Sequence, residues 1–225
     1  MPHKDYSEIC VAKPWGHEYL AYQNEHLGIW MLHIKENCKT SMHCHPKKNT
    51  GLVCLAGAVE VSFLKNKIPL KGIDKIMIFR GRFHSTQALS PGGSWVLEVE
   101  SPQDKHDLVR LNDDHGRAGQ AYEGKTCESP RTDDMLRIER PSEADPWTDT
   151  FRGAKMTSRV ITDVSQLYNR PYFEVSVILT GGLQTPQGDK VVQIGDCIAG
   201  HSLNYLAPHF ELVPGTQLLS IEKND

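Results

Sequence analysis

The chain has no apolar run approaching the roughly 20 residues that a membrane helix requires, which excludes a helical membrane span. Its opening stretch, Met1-Pro-His-Lys-Asp-Tyr-Ser-Glu, lacks the apolar segment of a secretory signal. There is no CxxC pair: the six cysteines, Cys10, Cys38, Cys44, Cys54, Cys127 and Cys197, are scattered, which predicts a reducing, cytoplasmic compartment. Charge of one sign is not in excess. A formal net charge of −3 gives no electrostatic case for binding nucleic acid or an anionic membrane surface. Long stretches of helical periodicity are also missing, apart from short turns predicted near Asp104–Leu111 and Asp163–Tyr168.

What remains is strand signal. Leu27–Ile34, Gly51–Leu55, Val59–Leu64, Lys75–Phe79 and Trp95–Glu100 are short β-branched or apolar runs. Turn material such as Lys65-Asn66-Lys67, Lys71-Gly72 and Ser90-Pro91-Gly92-Gly93 separates them. Many short strands at such spacing predict an all-β sandwich or barrel. Between 123 and 150 the sequence turns polar and proline-bearing, as a linker or a segment wrapped along the surface would. Strand patterns resume at Phe173–Leu179, Val191–Ile194 and Gln217–Glu222.

The later part reads as a worn copy of the earlier one. Leu55-Ala-Gly57 matches Leu179-Thr-Gly181, Ile73-Asp74 matches Gly195-Asp196, and Val96–Glu100 matches Leu218–Glu222, at nearly equal intervals. The expected organisation is therefore a domain over 1–122, a connecting segment over 123–150 and a degenerate second domain over 151–225. Positions equivalent to the histidines described next fall near Leu167, Asn169 and Leu206, so the second copy is expected to hold no metal.

Thr40-Ser-Met-His43-Cys-His45-Pro reads as a strand ending at proline. Because strand side chains alternate, His43 and His45 share one face and Met42 and Cys44 the other. Two imidazoles one pleat apart can bind one ion through nitrogen. A further histidine, His84, follows a glycine turn at Gly81. The His43-x-His45 pair with Gly57, and Gly81-x-x-His84, resemble the two motifs of the cupin superfamily. Asn37 stands for the first glycine of the first motif, and asparagine tolerates the positive φ such a turn needs. Thr50 stands for the metal-binding glutamate, Phe79 for the proline and Ala88 for the final asparagine of the second motif.

The resemblance implies a cupin jelly-roll β-barrel with a degenerate second half (a bicupin), with His43, His45 and His84 as ligands to a divalent metal. Zinc is the leading candidate, with iron, manganese, nickel and cobalt as the others. Lys13-Pro-Trp-Gly16, Leu97-Glu-Val-Glu100, and Asp107-Leu-Val-Arg110 with Asp113–Arg117 are similar, in order and spacing, to the type II mannose-6-phosphate isomerases. That narrower resemblance implies a sugar phosphate or nucleotide sugar as substrate, an aldose–ketose isomerisation and a place in polysaccharide biosynthesis. Cupins often pair through their sheets, so a homodimer is expected.

The chemistry would need a base beside a metal-polarised carbonyl. Glu98 is the first candidate, either as base or as a further metal ligand, and it shares a strand face with Val96 and Glu100. Lys48 is a candidate for catalysis or phosphate contact. Arg80, Arg82, His17 and Trp15 are candidates for substrate binding, with Glu18 beside them. For the Asp107–Arg110 and Asp113–Arg117 segments a structural role is expected. Two other readings stand beside the isomerase: a non-haem iron oxygenase and a non-catalytic sugar-binding cupin.

Overall fold

The computed structural model describes residues 5–112 and 125–224. Asp113–Arg117 therefore lies outside the described residues. The described strands are β1 (Ile9–Lys13), β2 (Gly16–Gln23), β3 (Gly28–Ile34), β4 (Met42–Cys44), β5 (Asn49–Ala56), β6 (Ala58–Phe63), β7 (Lys67–Lys71), β8 (Lys75–Ile78), β9 (His84–Ala88) and β10 (Ser94–Ser101). They continue with β11 (Val109–Asn112), β12 (Glu128–Pro130), β13 (Trp147–Phe151), β14 (Ala154–Ile161), β15 (Val175–Thr180), β16 (Leu183–Gln184), β17 (Lys190–Val192), β18 (Cys197–Ala199), β19 (Glu211–Leu212) and β20 (Thr216–Lys223). One α-helix, α1 (Gly200–Leu206), interrupts them, and the sequence reading did not anticipate it. The turn expected near Asp163–Tyr168 is a short 3-10 helix capped by Asp163, whereas 104–111 forms turns leading into β11.

The strands form four sheets. The first runs β12-β1-β2-β3-β10-β5-β8 and the second β11-β4-β9-β6-β7. These two face each other as a jelly roll. Val11, Leu20, Trp30, Leu32, Leu52, Val59, Val61 and Val96 fill the space between them. Strand alternation explains the filling, since residues two apart point to the same side. Asn37, at the position of the motif's first glycine, has φ 59°.

The third sheet, β13-β14-β20-β15-β18, has the order of β2-β3-β10-β5-β8, and the fourth, β17-β16-β19, has that of β7-β6-β9. Details repeat as well. Cys54 N–H donates to Asp74 O (2.9 Å) while Ile73 N–H donates to Cys54 O (2.9 Å). In the later half Ile178 N–H donates to Asp196 O (3.0 Å) while Gly195 N–H donates to Ile178 O (2.8 Å). Gly57 and Gly181 have φ of 77° and 70°. Among the described residues, no strand in the later half corresponds to β4 or β11.

The outer face of the first sheet is buried too. Tyr19, Met31, Val53, Leu97 and Val99 form one core with Met156, Val175, Val177, Leu219 and Ile221 of the third sheet. This double burial is why β5 reads as a nearly continuous apolar run. The described part of 123–150 wraps rather than dangles. Pro130 to Glu128 pair with β1, Ile138 N–H donates to Ala21 O (2.9 Å), and Leu136 and Ile138 are buried in the shared core.

The second barrel contains a buried ion pair. Arg170 donates to Glu174 Oε1 through Nε (3.0 Å) and also reaches Ser220 Oγ, while Ser176 Oγ donates to Glu174 Oε1 (2.8 Å). The pairing register makes the correspondence explicit. Ser176 opposes Ser220 in the third sheet as Leu52 opposes Glu98 in the first.

Candidate metal centre

The short strand β4 carries His43, and His45 follows it immediately before Pro46. His43 pairs across the sheet with His84, the first residue of β9, and on its other side with Arg110 of β11. The three imidazoles converge inside the barrel, with ring centroids 4.5 to 5.5 Å apart. One ligand atom from each lies within 4.8 Å of the other two. Tetrahedral nitrogen ligands on one zinc ion lie about 3.3 Å apart, so the three rings would have to close inward to share an ion.

Hydrogen bonding sets the chemistry of the rings. His43 Nδ1 lies 2.8 Å from Ser41 O, His45 Nδ1 2.6 Å from Asp107 O, and His84 Nδ1 3.0 Å from Arg82 O. A carbonyl only accepts, so each Nδ1 must carry the proton and each Nε2 must present a lone pair. His45 Nε2 is buried and has no hydrogen-bond partner among the described residues. A buried nitrogen lone pair left unpaired is costly unless something binds it, and a metal ion is the fitting partner for this donor set. Burial holds all three imidazoles below the ordinary histidine range, His84 at about 4, so they are neutral and ligand-ready at pH 7.

The cavity beside the triad is lined by Trp15, Glu18, Lys48, Glu98, Glu100 and Arg110, among others. It is narrow, with about 60 Å³ of room. Glu98 and Glu100 both point inward from β10, as strand alternation requires. Their environments separate them. Glu100 pairs with Lys48 (2.7 Å) and Lys105 (3.0 Å). Burial pushes its carboxyl up, but the two ammonium groups outweigh this and hold it below the usual range. Glu98 has no hydrogen bond or ion pair of its own among the described residues. Burial raises it to about 7, with the Glu100 charge adding and Lys105 and Lys48 opposing.

The other sequence candidates divide. Trp15 is buried and lines the cavity. Lys48 also lines it, but its ammonium is held by Glu100 and by Asp104 O (3.0 Å). Glu18 faces the cavity, whereas His17, its neighbour on β2, points to the opposite face of the sheet, beside His33 and Trp95. Arg80 and Arg82 are exposed in the loop before His84 and do not line the cavity; the Arg82 guanidinium lies 4.2 Å from the Phe63 ring centre. Sequence reasoning missed Arg110 as a cavity residue, although its alternation with the exposed Val109 and Leu111 carries the signal. It also missed Lys13 and Lys105, both on the cavity wall and both bridged to Glu18.

No family model and no curated protein matches the chain. Solved structures do. KdgF from a Halomonas species is 21% identical, over 41% of this chain and 84% of that one, with a TM-score of 0.39. A conserved protein with a double-stranded β-helix domain from Klebsiella pneumoniae is 13% identical, over 49% of this chain and 90% of that one, with a TM-score of 0.39. CapF bound to the inhibitor 3-isopropenyl-tropolone is 12% identical, over 48% of this chain and 36% of that one, with a TM-score of 0.41. Each likeness covers less than half of this chain. The fold assignment stands on strand order and register.

Proposed function

We propose that this chain is a metal-dependent cupin enzyme that moves a proton beside a carbonyl, most simply in the aldose–ketose isomerisation of a small sugar phosphate. The observation that carries the reading is the unbonded Glu98 carboxyl, raised to about 7, on the wall of a cavity that His43 and His45 also line, with His84 completing the histidine cluster beside it. A base is most useful when its pKa lies near the working pH. Bound by His43, His45 and His84, a divalent ion, zinc in first place, supplies Lewis-acid polarisation of the substrate carbonyl.

The residues do the rest. Glu98 accepts the proton from the carbon next to the carbonyl and returns it to the neighbouring carbon, while a hydroxyl proton crosses between the two oxygens. Lys48 acts through Glu100, holding that carboxylate charged so that Glu98 is the acid that titrates. Arg110 and Lys13 are our candidates for meeting a phosphate. The narrowness of the cavity favours a sugar phosphate, entering by its reactive end, over a nucleotide sugar. The later half, in this reading, is a degenerate cupin domain that supports the first.

The test is solvent deuterium incorporation into hexose and pentose phosphates by zinc-loaded protein. Glu98→Gln is expected to lower exchange at least ~100-fold while metal content is unchanged. Full exchange in that variant would remove Glu98 from the mechanism, and absence of exchange with any sugar phosphate would remove the isomerase. A second reading rests on the same three imidazoles, since imidazole donors suit iron as well as zinc. Such a set can hold iron(II) with open positions. Iron in the purified protein together with substrate-dependent oxygen uptake would establish that reading instead.

A further inference from the structure

A second cavity lies on the other face of the first sheet, where the two halves meet. It has a volume of about 450 Å³, within the range of small-molecule sites, and is lined by His17, Tyr19, His33, Trp95, Phe151 and Arg152 among others. The same strands serve both cavities. His17 faces this one and Glu18 the metal cavity; Trp95 faces this one and Glu98 the metal cavity.

Arg152 is an unusual choice of residue. It sits with Gly153 in the two-residue turn joining β13 to β14, closed by the Phe151–Ala154 pair. Both turn residues have positive φ, 52° and 83°. That turn favours asparagine, aspartate or glycine at its first position, and arginine there is strained. The strain sets the guanidinium 5.2 Å from the Trp95 ring centre and 5.6 Å from that of Phe151. Among the described residues it makes no hydrogen bond or ion pair. The Asp134 carboxylate lines the same cavity and accepts from Thr132 Oγ1 (2.5 Å), a bond that lowers its pKa first, with the fields of Arg152 and His17 adding to the lowering without direct contact. Trp95 and Phe151 meet edge to face at 84°, forming an aromatic corner under the arginine. His17 also lacks a hydrogen bond among the described residues, and burial lowers its pKa, so it is a neutral imidazole on the cavity wall.

We propose that this cavity is a second binding site, for a small anion with a flat apolar body such as an aromatic carboxylate. The guanidinium fork takes the carboxylate, the aromatic corner takes the flat body, and His17 offers one further polar contact. Positive-φ backbone delivers the Arg152 guanidinium to an aromatic cavity, where it lies over two rings, and a ligand carboxylate would give it the direct hydrogen-bonded partner it lacks among the described residues.

The experiment is ligand-observed fluorine NMR with 4-fluorobenzoate on the full chain. Saturable binding is expected with a Kd of about 1 mM or below, and the neutral 4-fluorobenzamide should bind at least ~10-fold more weakly. Arg152→Asn keeps a residue the turn favours, so the hairpin should persist, as a melting temperature no lower than that of the parent would verify. It should weaken 4-fluorobenzoate binding at least ~10-fold. Chelation with EDTA should leave the affinity unchanged, since the triad lies on the other face of the sheet. The proposal is overturned by no saturable binding, by equal binding of the amide, by an Arg152→Asn variant that binds normally, or by loss of binding on chelation. None of these outcomes bears on the isomerase reading.

Discussion

Three backbone carbonyls decide what the histidines can do, because each fixes a proton on Nδ1 and turns Nε2 inward. The most elaborate support is at His45. Asp107 O accepts from its ring, while the Asp107 carboxylate accepts from Lys47 N–H (2.9 Å) and Lys48 N–H (3.0 Å), clamping the turn after His45. Asp107→Ala should therefore lower zinc affinity ~10–100-fold without touching a ligand, measured by competition with a chromogenic chelator. The buried imidazoles also make the metal-free protein acid-sensitive. Their folded pKa values lie below the unfolded value of 6.5, so the unfolded state binds more protons in that window, and stability falls as the pH drops from 6.5 toward 4. His84 alone is worth ~3 kcal/mol across that window. Urea melts of metal-free protein at pH 7 and pH 4.5 should show this loss, and His84→Gln should reduce it.

Side-chain direction was legible in the sequence wherever alternation governs. The shared face of His43 and His45, and the inward turn of Glu98, follow from strand geometry alone, and Asn37 takes the positive φ expected of it. Loop residues were not legible in this way. Arg80 and Arg82 flank a glycine turn, where no period fixes direction, and they point away from the cavity. His17 was readable in principle, since its neighbour Glu18 faces the cavity and alternation then sends His17 outward.

At the scale of elements, β5 shows how closely the sheets approach. A methyl group on Gly51 would sit 2.4 Å from Cys197 Sγ, whereas the Cys197 Cβ is at 3.5 Å, an ordinary contact. Gly51→Ala should destabilise by ~1–3 kcal/mol through overpacking, and Cys197→Ala should relieve most of that in the double variant. Additive destabilisation in denaturant melts would show that the two sheets do not meet at this point. The sequence hid this contact because a glycine in an apolar run gives no hint of what approaches it. The second barrel's missing counterparts of β4 and β11 were legible only as missing histidines.

The whole molecule is two barrels that share one apolar layer. The outer face of the first sheet is covered by the chain's own later half, so a homodimer, if one forms, could not pair through that face. Tryptophans of both halves, Trp30 and Trp147, and the backbone should accordingly report one cooperative unfolding transition. Separate fluorescence and far-UV circular dichroism midpoints would mean that the halves unfold independently.

The Arg170–Glu174 pair has a consequence for metal removal. The later barrel balances its buried charges within the chain itself, so a chelator should leave that interior unchanged, and any stability lost on chelation would belong to the histidine barrel.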